Sequence, residues 1–114
     1  MNERQKELIN RLTQLRTKSG LTTYDIAEYL GIKEEEVVNI ENGKSPLLAS
    51  IIDELSKLYC VSVTRLMKDD NYLVGVPSLK DCNTKDLRDI AKINKIALNL
   101  GRMKELGMLE WLNE

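Results

Sequence analysis

The sequence contains no histidine and no phenylalanine, and only one tryptophan, two cysteines and two prolines among its 114 residues. Without histidine, imidazole-based acid–base catalysis and the common zinc sites that need an imidazole ligand are excluded. Cys60 and Cys82 are too few for a four-ligand metal site, and we expect two reduced thiols, Cys60 at a helix end and Cys82 in a loop. Neither a nucleophile beside a base nor a phosphate-binding glycine loop is recognisable. The sequence therefore predicts no enzyme, no metal and no cofactor.

Long apolar runs and a large net charge are absent as well. No stretch approaches the roughly 18 apolar residues of a membrane span, and the charged start MNERQKE is unlike a secretion signal. Charged residues make up 31% of the chain, yet the net charge is only −1. This balance is typical of an ordinary soluble surface. We expect a cytoplasmic protein that does not bind membranes, with a small core built from Leu, Ile and Val.

Apolar spacing and capping residues predict three helices in the first half of the chain. Residues 3–18 have apolar positions at helical spacing, and Ser19-Gly20 ends that helix. Thr22 and Asp25 form the capping-box pattern of a short second helix, which Gly31 ends. A third helix begins within about three residues of Gly31, because Val37 and Ile40 keep an apolar spacing of three.

Two further helices complete this part. Ser45 as cap and Pro46 in the first turn predict the start of a fourth helix, and Ser62 caps a fifth over Val63–Met67. No alternating strand pattern competes. The sequence thus predicts an all-α fold, with a compact five-helix bundle in residues 1–68.

The remainder of the chain divides into a predicted linker, residues 69–83, and a C-terminal helical segment, residues 84–114. The linker has no helical period, but Tyr72, Leu73, Val74 and Val76 are apolar enough that we expect them to pack on another surface. Asn83 or Thr84 caps the following helix, whose apolar stripe is wider than a surface helix needs. It either folds back on the bundle or self-associates, and we favour a dimerisation element formed by Ile93, Ile96, Leu100, Met103, Leu106 and Trp111.

The segment LRTKSGLTTYDIAEYLGIKEEEVVNIENGK, followed by a helix and then VSVTRLM, resembles the Cro/C1-type helix-turn-helix regulators of the Xre family. This resemblance implies a five-helix, lambda-repressor-like bundle that binds double-stranded DNA in the major groove with its third helix. It also implies a structural ion pair between Arg16 and Glu41. The later segment DLRDIAKINKIALNLGRMKEL is similar to the tails of some repressors of integrated mobile elements.

By this resemblance, the DNA-binding positions lie at the start of the second helix, on the third helix and in the loop after it. They are Thr22, Thr23, Lys33, Glu34, Glu35, Asn39, Asn42, Gly43 and Lys44. Two of them depart from common family residues: Thr23 replaces a frequent Gln, and Lys33 replaces a frequent Ser or Thr cap. Thr23 can bond a phosphate but cannot make the two-point contact of Gln with adenine.

Three glutamates begin the predicted recognition helix, where they interact favourably with the helix dipole. That role accounts for Glu36, whereas Glu34 and Glu35 face the presumed DNA groove. A carboxylate there can accept a hydrogen bond from the N4 amino group of cytosine, but it also repels phosphates. Residues 1–68 carry ten Lys+Arg and ten Asp+Glu, so no overall positive field compensates. Attraction to DNA must come from Lys18, Lys33 and Lys44, with Arg11 or Arg16 nearby.

We therefore expect a sequence-specific transcriptional regulator, a repressor of bacterial or phage and mobile-element genes, that binds DNA as a homodimer and is associated with the nucleoid. Two linked subunits, each binding one half of the DNA site weakly, bind the whole site with higher affinity than either subunit alone. The alternative is a helix-turn-helix scaffold that acts as a protein-interaction module, such as an antitoxin or adaptor, with weak or no DNA binding. A regulatory protein partner is compatible with either hypothesis.

Overall fold

The computed structural model of the protein describes residues 3–68, 76 and 78–105, with side chains as far as residue 101. The described part is all-helical, as predicted. None of its helices is both long enough and apolar enough to span a membrane. Its six helices are α1 (Glu3–Ser19), α2 (Thr23–Leu30), α3 (Glu34–Glu41), α4 (Ala49–Tyr59), α5 (Val63–Lys68) and α6 (Thr84–Glu105).

Local capping signals set most of the helix boundaries. The Thr22 hydroxyl accepts from the Asp25 N–H at 3.1 Å, and the Asp25 carboxylate accepts from the Thr22 N–H at 3.0 Å, which completes the predicted capping box of α2. Ser62 caps α5 by accepting from the Arg65 N–H. Asn83, one of the two residues predicted to cap α6, accepts from the Asp86 N–H at 2.8 Å. These helices begin where their caps indicate.

The predicted start of α4 is wrong by about one turn. The helix begins at Ala49, with Leu48 at the N-cap position, and neither Ser45 nor Pro46 belongs to it. The Ser45 N–H donates to the carbonyl oxygen of Asn39 at 3.2 Å and so closes the turn after α3. Ser45 therefore belongs to the turn after α3, three residues before the N-cap position, and does not cap α4.

The core lies between α1, α4 and α5, where Leu15, Leu58 and Leu66 are completely buried. Most core residues are aliphatic, as expected for a chain without phenylalanine. Tyr29 and Tyr59 are also buried, which the sequence analysis did not anticipate for Tyr29. The Tyr29 hydroxyl donates to the backbone oxygen of Glu54 at 3.1 Å, so the ring is buried without an unpartnered polar group.

The segment predicted as a linker packs on the bundle where the structure describes it. Leu79 is buried in the common core, and its N–H donates to the carbonyl oxygen of Ser19 at 2.7 Å. Val76 and Cys82 pack against the same core. This confirms the expected packing of Val76, whereas Tyr72, Leu73 and Val74 lie outside the described residues.

The two cysteines occupy a helix end and a loop, as predicted, and both are free thiols. Cys60 is the C-cap of α4 and has a φ of 56°, in the left-handed region. Glycine adopts this conformation without steric strain, whereas a residue with a side chain does so at a cost of about 1 kcal/mol. Cys60 therefore ends α4 through its backbone conformation, at a position where glycine would be less strained.

The first half of α6 folds back on the bundle against α4 and α2. Leu87 and Ala91 are buried in the common core. The Asn94 amide donates to the carbonyl oxygens of Lys57 and Leu58 at 2.8 and 3.3 Å, beside the C-terminal end of α4. The alternative that the sequence analysis favoured less thus describes this half of the helix.

The face of α6 opposite to the docked residues exposes apolar side chains. Of the predicted dimerisation residues, Ile93, Ile96 and Leu100 are exposed to 66%, 63% and 47%. The side chain of Met103, together with Leu106 and Trp111, lies outside the described residues. The exposed stripe is therefore available for the self-association that the sequence predicts, and that association stays a prediction.

Candidate nucleic-acid interface

A tight turn at Gly31 sets the angle between α2 and α3. Gly31 caps α2 with a φ of 73°, and its N–H donates to the carbonyl oxygen of Ala27. The Ile32 N–H donates to the same oxygen at 3.0 Å. A Cβ atom at Gly31 would meet nothing within 4 Å, so the turn needs glycine for its backbone conformation and not for space.

One face of α3 anchors the helix to the bundle and leaves the other face free. Val37 is buried in the core, Ile32 packs against it from the preceding turn, and Ile40 is half-buried. Glu34, Glu35, Glu36 and Val38 are all exposed. The two predicted base-reading residues, Glu34 and Glu35, therefore lie on a surface that the described part of the chain does not cover.

The loop after α3 is held by its own backbone. The carbonyl oxygen of Asn39 accepts from the N–H groups of Lys44 and Ser45 at 2.8 and 3.2 Å, and Gly43 has a φ of 76°. This arrangement brings the exposed residues Asn42, Gly43 and Lys44 together at the C-terminal end of α3. The Asn39 side chain is half-buried, so it is less accessible than the other predicted contacts.

The first turn of α2 forms the other edge of the surface. The exposed Thr22 hydroxyl accepts the capping hydrogen bond and can still donate its own proton, whereas Thr23 is half-buried. Tyr24, which the sequence analysis did not select, is exposed to 58%. Its position in the sequence TTYD could have indicated this exposure, because Tyr24 lies in the first turn of α2 between the capping-box residues Thr22 and Asp25. A phenol at this position can donate to a phosphate oxygen.

Lys33 precedes α3 as its N-cap and makes no side-chain capping hydrogen bond. Its ammonium group is therefore not engaged in closing the helix, and the side chain is exposed. The three glutamates of the next turn already complement the positive end of the helix dipole. The structure thus presents one cation and three carboxylates side by side at the start of α3.

Arg16 and Glu41 form the ion pair that the sequence predicts. The Arg16 Nε donates to a Glu41 carboxylate oxygen at 2.9 Å, and both side chains are largely covered. The same guanidinium donates to the carbonyl oxygen of Leu21 at 3.0 Å. The pair therefore joins the ends of α1 and α3 and the segment between α1 and α2. Removing one partner would leave a poorly solvated charge behind.

The expectation that Arg11 or Arg16 adds to the attraction for phosphates is wrong. Arg11 is only 8% exposed, and it donates to the carbonyl oxygen of Leu66 at 2.8 Å and pairs with Glu7 at 2.9 Å. Arg16 is committed to Glu41 and Leu21. Spacing along α1 could not reveal the contact of Arg11 with Leu66, which is distant in sequence, whereas the pairing of Arg16 with Glu41 was already implied by the resemblance. Of the cations expected to attract DNA, the exposed ones are Lys18, Lys33 and Lys44.

The model of a helix-turn-helix family matches residues 12–66, the part of the chain that contains α2, α3 and the ion pair. That family consists of DNA-binding regulators and not of enzymes. No curated protein matches the chain, and no solved structure does.

Proposed function

Because residues 12–66 are a helix-turn-helix domain of the Cro/C1 type, from the DNA-binding Xre family, we propose that the chain is a sequence-specific transcriptional repressor. Its operators belong to bacterial or phage and mobile-element genes, and it acts in the cytoplasm at the nucleoid. The observation that carries the proposal is the placement of α3. The helix is anchored by buried Val37, and its opposite face is open between the α2 start and the Asn42–Lys44 loop.

The exposed residues suit two kinds of DNA contact. Lys33 and Lys44, one at each end of α3, carry charges that can meet phosphates on the two sides of a major groove. Glu34 and Glu35 point away from the core and can accept from cytosine N4, which gives sequence information. Because these carboxylates also repel phosphates, we expect weak binding to nonspecific DNA and strong dependence on a few correct base contacts.

A second copy of the chain compensates for the small number of cations. With Arg11 and Arg16 occupied inside the domain, one subunit offers few phosphate contacts. Two subunits on one face of DNA, with recognition helices about 34 Å apart, double that number. Ile93, Ile96 and Leu100 follow one another at spacings of three and four, so they form one exposed apolar face of α6. We propose that this face meets its equivalent in the partner subunit.

The DNA-binding proposal is tested by a salt titration of the purified chain with duplex DNA from its own promoter region. We expect the affinity to fall steeply with salt. For each phosphate contact, the logarithm of the binding constant should fall by roughly 0.9 for every tenfold rise in salt concentration. Lys44→Glu should abolish binding, whereas Lys85→Glu, at an exposed position in the first turn of α6, should change it little. Failure to bind any promoter fragment at low salt would rule the proposal out.

The dimer is tested by analytical ultracentrifugation of the full chain. Ile96→Lys places a charge in the exposed apolar face and should convert a dimer to a monomer, because a buried unpaired ammonium group is very costly. Asn99→Lys adds the same charge at an exposed polar position and should leave the dimer intact. A wild-type chain that stays monomeric at all accessible concentrations would contradict the dimer.

A protein-interaction module is the second candidate, and the exposed surface of α3 favours it. Three carboxylates beside exposed Val38 form an acidic patch with an apolar centre, which suits a basic protein partner as well as it suits a DNA groove. The same salt titration separates the two functions. An interaction module without DNA binding shows no association with duplex DNA even at low ionic strength.

A further inference from the structure

A cavity of about 330 Å³ lies between α2, α4 and α6, away from the α3 surface. Its polar lining comes from all three helices: Tyr29 from α2, Glu54 and Lys57 from α4, and Arg88, Lys92 and Lys95 from α6. Four of these side chains are cationic and one is a carboxylate. The volume is at the lower end of the range typical of small-ligand sites.

The α2 and α4 walls of the cavity hold one another in place. The single proton of the Tyr29 hydroxyl is shared between the Glu54 backbone oxygen and a Glu54 carboxylate oxygen, which lie at 3.1 and 3.2 Å. Burial, with the charge of Glu54, raises the pKa of Tyr29 well above its usual value. The Lys57 ammonium group pairs with Asp53 at 2.9 Å and with Glu54 at 3.5 Å. The single carboxylate of the lining is therefore already engaged by two neighbours.

The α6 wall is a row of cations without such compensation. Arg88, Lys92 and Lys95 follow one another at spacings of four and three, so they share one face of the helix. Within the described part of the chain, no carboxylate lies within 4.0 Å of their charged nitrogens. The Arg88 guanidinium has one long hydrogen bond, to the carbonyl oxygen of Glu28 at 3.5 Å. Like charges at this spacing repel one another along a helix.

We propose that this cavity binds a compact, phosphate-bearing small molecule. A phosphate group carries two negative charges and several acceptor oxygens, which match a planar guanidinium and two flexible ammonium groups. Concave walls on three helices suit a soluble anion that enters the cavity, such as a phosphorylated metabolite. The site includes no residue of α3, so the proposal does not depend on the DNA-binding function.

Inorganic pyrophosphate, added to the full chain without DNA, is the probe that tests this proposal. The titration is followed by the backbone amide NMR signals, with ionic strength held constant by sodium chloride. We expect saturable shifts centred on residues 88–95. Lys92→Ala and Lys95→Ala should each weaken binding about tenfold, as expected when one charge-assisted contact is lost. Lys85→Ala, which removes an exposed cation outside the cavity lining, should bind like the wild type.

Because Lys92 and Lys95 are exposed, their substitution should preserve the fold, which thermal unfolding checks. Shifts that never saturate, or equal affinity in all three alanine variants, would overturn the proposal. A parallel titration with duplex DNA distinguishes the sources of phosphate. If Lys92→Ala and Lys95→Ala weaken DNA binding while pyrophosphate gives no saturable shift, these cations serve the DNA backbone and the small-molecule site is refuted.

Discussion

Two faces of α6 carry apolar side chains but have very different surroundings. On the inner face, Leu87 is 1% exposed, and Ala91 is buried beside it in the common core. On the outer face, Ile93 and Ile96, which follow Ala91 by only two and five residues, are 66% and 63% exposed. At about 100° per residue the two sets lie on opposite sides of the helix, and within the described part of the chain only the inner face has a partner.

This contrast shows why the sequence left two alternatives for α6. A wide stripe indicates more apolar surface than one contact can cover, but it does not say which part meets which partner. The structure assigns Leu87 and Ala91 to the bundle, and Asn94, on the same face of the helix, bonds the end of α4. Folding back and self-association are therefore compatible, since they use different residues of the same helix.

The largest difference between the two faces should appear in a pair of alanine substitutions. Leu87→Ala leaves a cavity in the core and should lower the free energy of unfolding by about 2–5 kcal/mol. Ile96→Ala removes a similar apolar group from an exposed site and should change it by less than about 0.5 kcal/mol. Urea denaturation at a concentration where the chain is monomeric measures both values. Equal effects would mean that the first half is not held on the bundle in solution.

A smaller effect is expected at the polar contact of the inner face. Asn94→Ala removes the donor to the carbonyl oxygens of Lys57 and Leu58 and should cost about 1–2 kcal/mol of stability. Asn99→Ala is the matched control, because that amide is exposed on the same helix and should change stability by less than about 0.5 kcal/mol. Indistinguishable melting curves for the two variants would show that the Asn94 bonds do not stabilise the docking.

The smallest effect concerns two glycines with the same backbone conformation and different neighbours. Gly20 and Gly31 have φ values of 84° and 73°, so Ala should cost about 1 kcal/mol at either site. At Gly20, however, the new Cβ would stand 3.0 Å from the Cβ of Lys80, in the segment that leads to α6, whereas Gly31 faces open space. Gly20→Ala should therefore be the more destabilising variant in thermal unfolding. The reverse order would argue against close packing of residues 78–83 on the bundle.

Local signals explain how much of the fold was predictable. The capping box at Thr22 and the caps at Ser62 and Asn83 depend on residues three positions apart, so the sequence contains both partners. The start of α4 was mispredicted because Ser45 bonds Asn39, a residue of the preceding helix. Tyr29 was not assigned to the core because its covering partner, Glu54, is 25 positions away.

At the candidate site, too, the exposed positions were predictable, whereas contacts between residues distant in the sequence were not. The resemblance to Cro/C1-type domains placed Glu34, Glu35 and Lys44 on an exposed surface, and the structure finds them exposed. The resemblance could not show that the Arg11 guanidinium donates a hydrogen bond to the carbonyl oxygen of Leu66, 55 residues away in the sequence. Nor could it show the cationic cavity, because that site exists only where α6 folds against α2 and α4.

Selection of bound duplexes from a random-sequence pool asks whether the acidic α3 surface reads DNA. We expect the full chain to enrich a motif of two related half-sites, and Glu34→Gln or Glu35→Gln to change the preferred bases within each half-site. Sequence reading by α3 is contradicted if the wild type enriches no motif, or if the glutamine variants only gain affinity equally for all sequences.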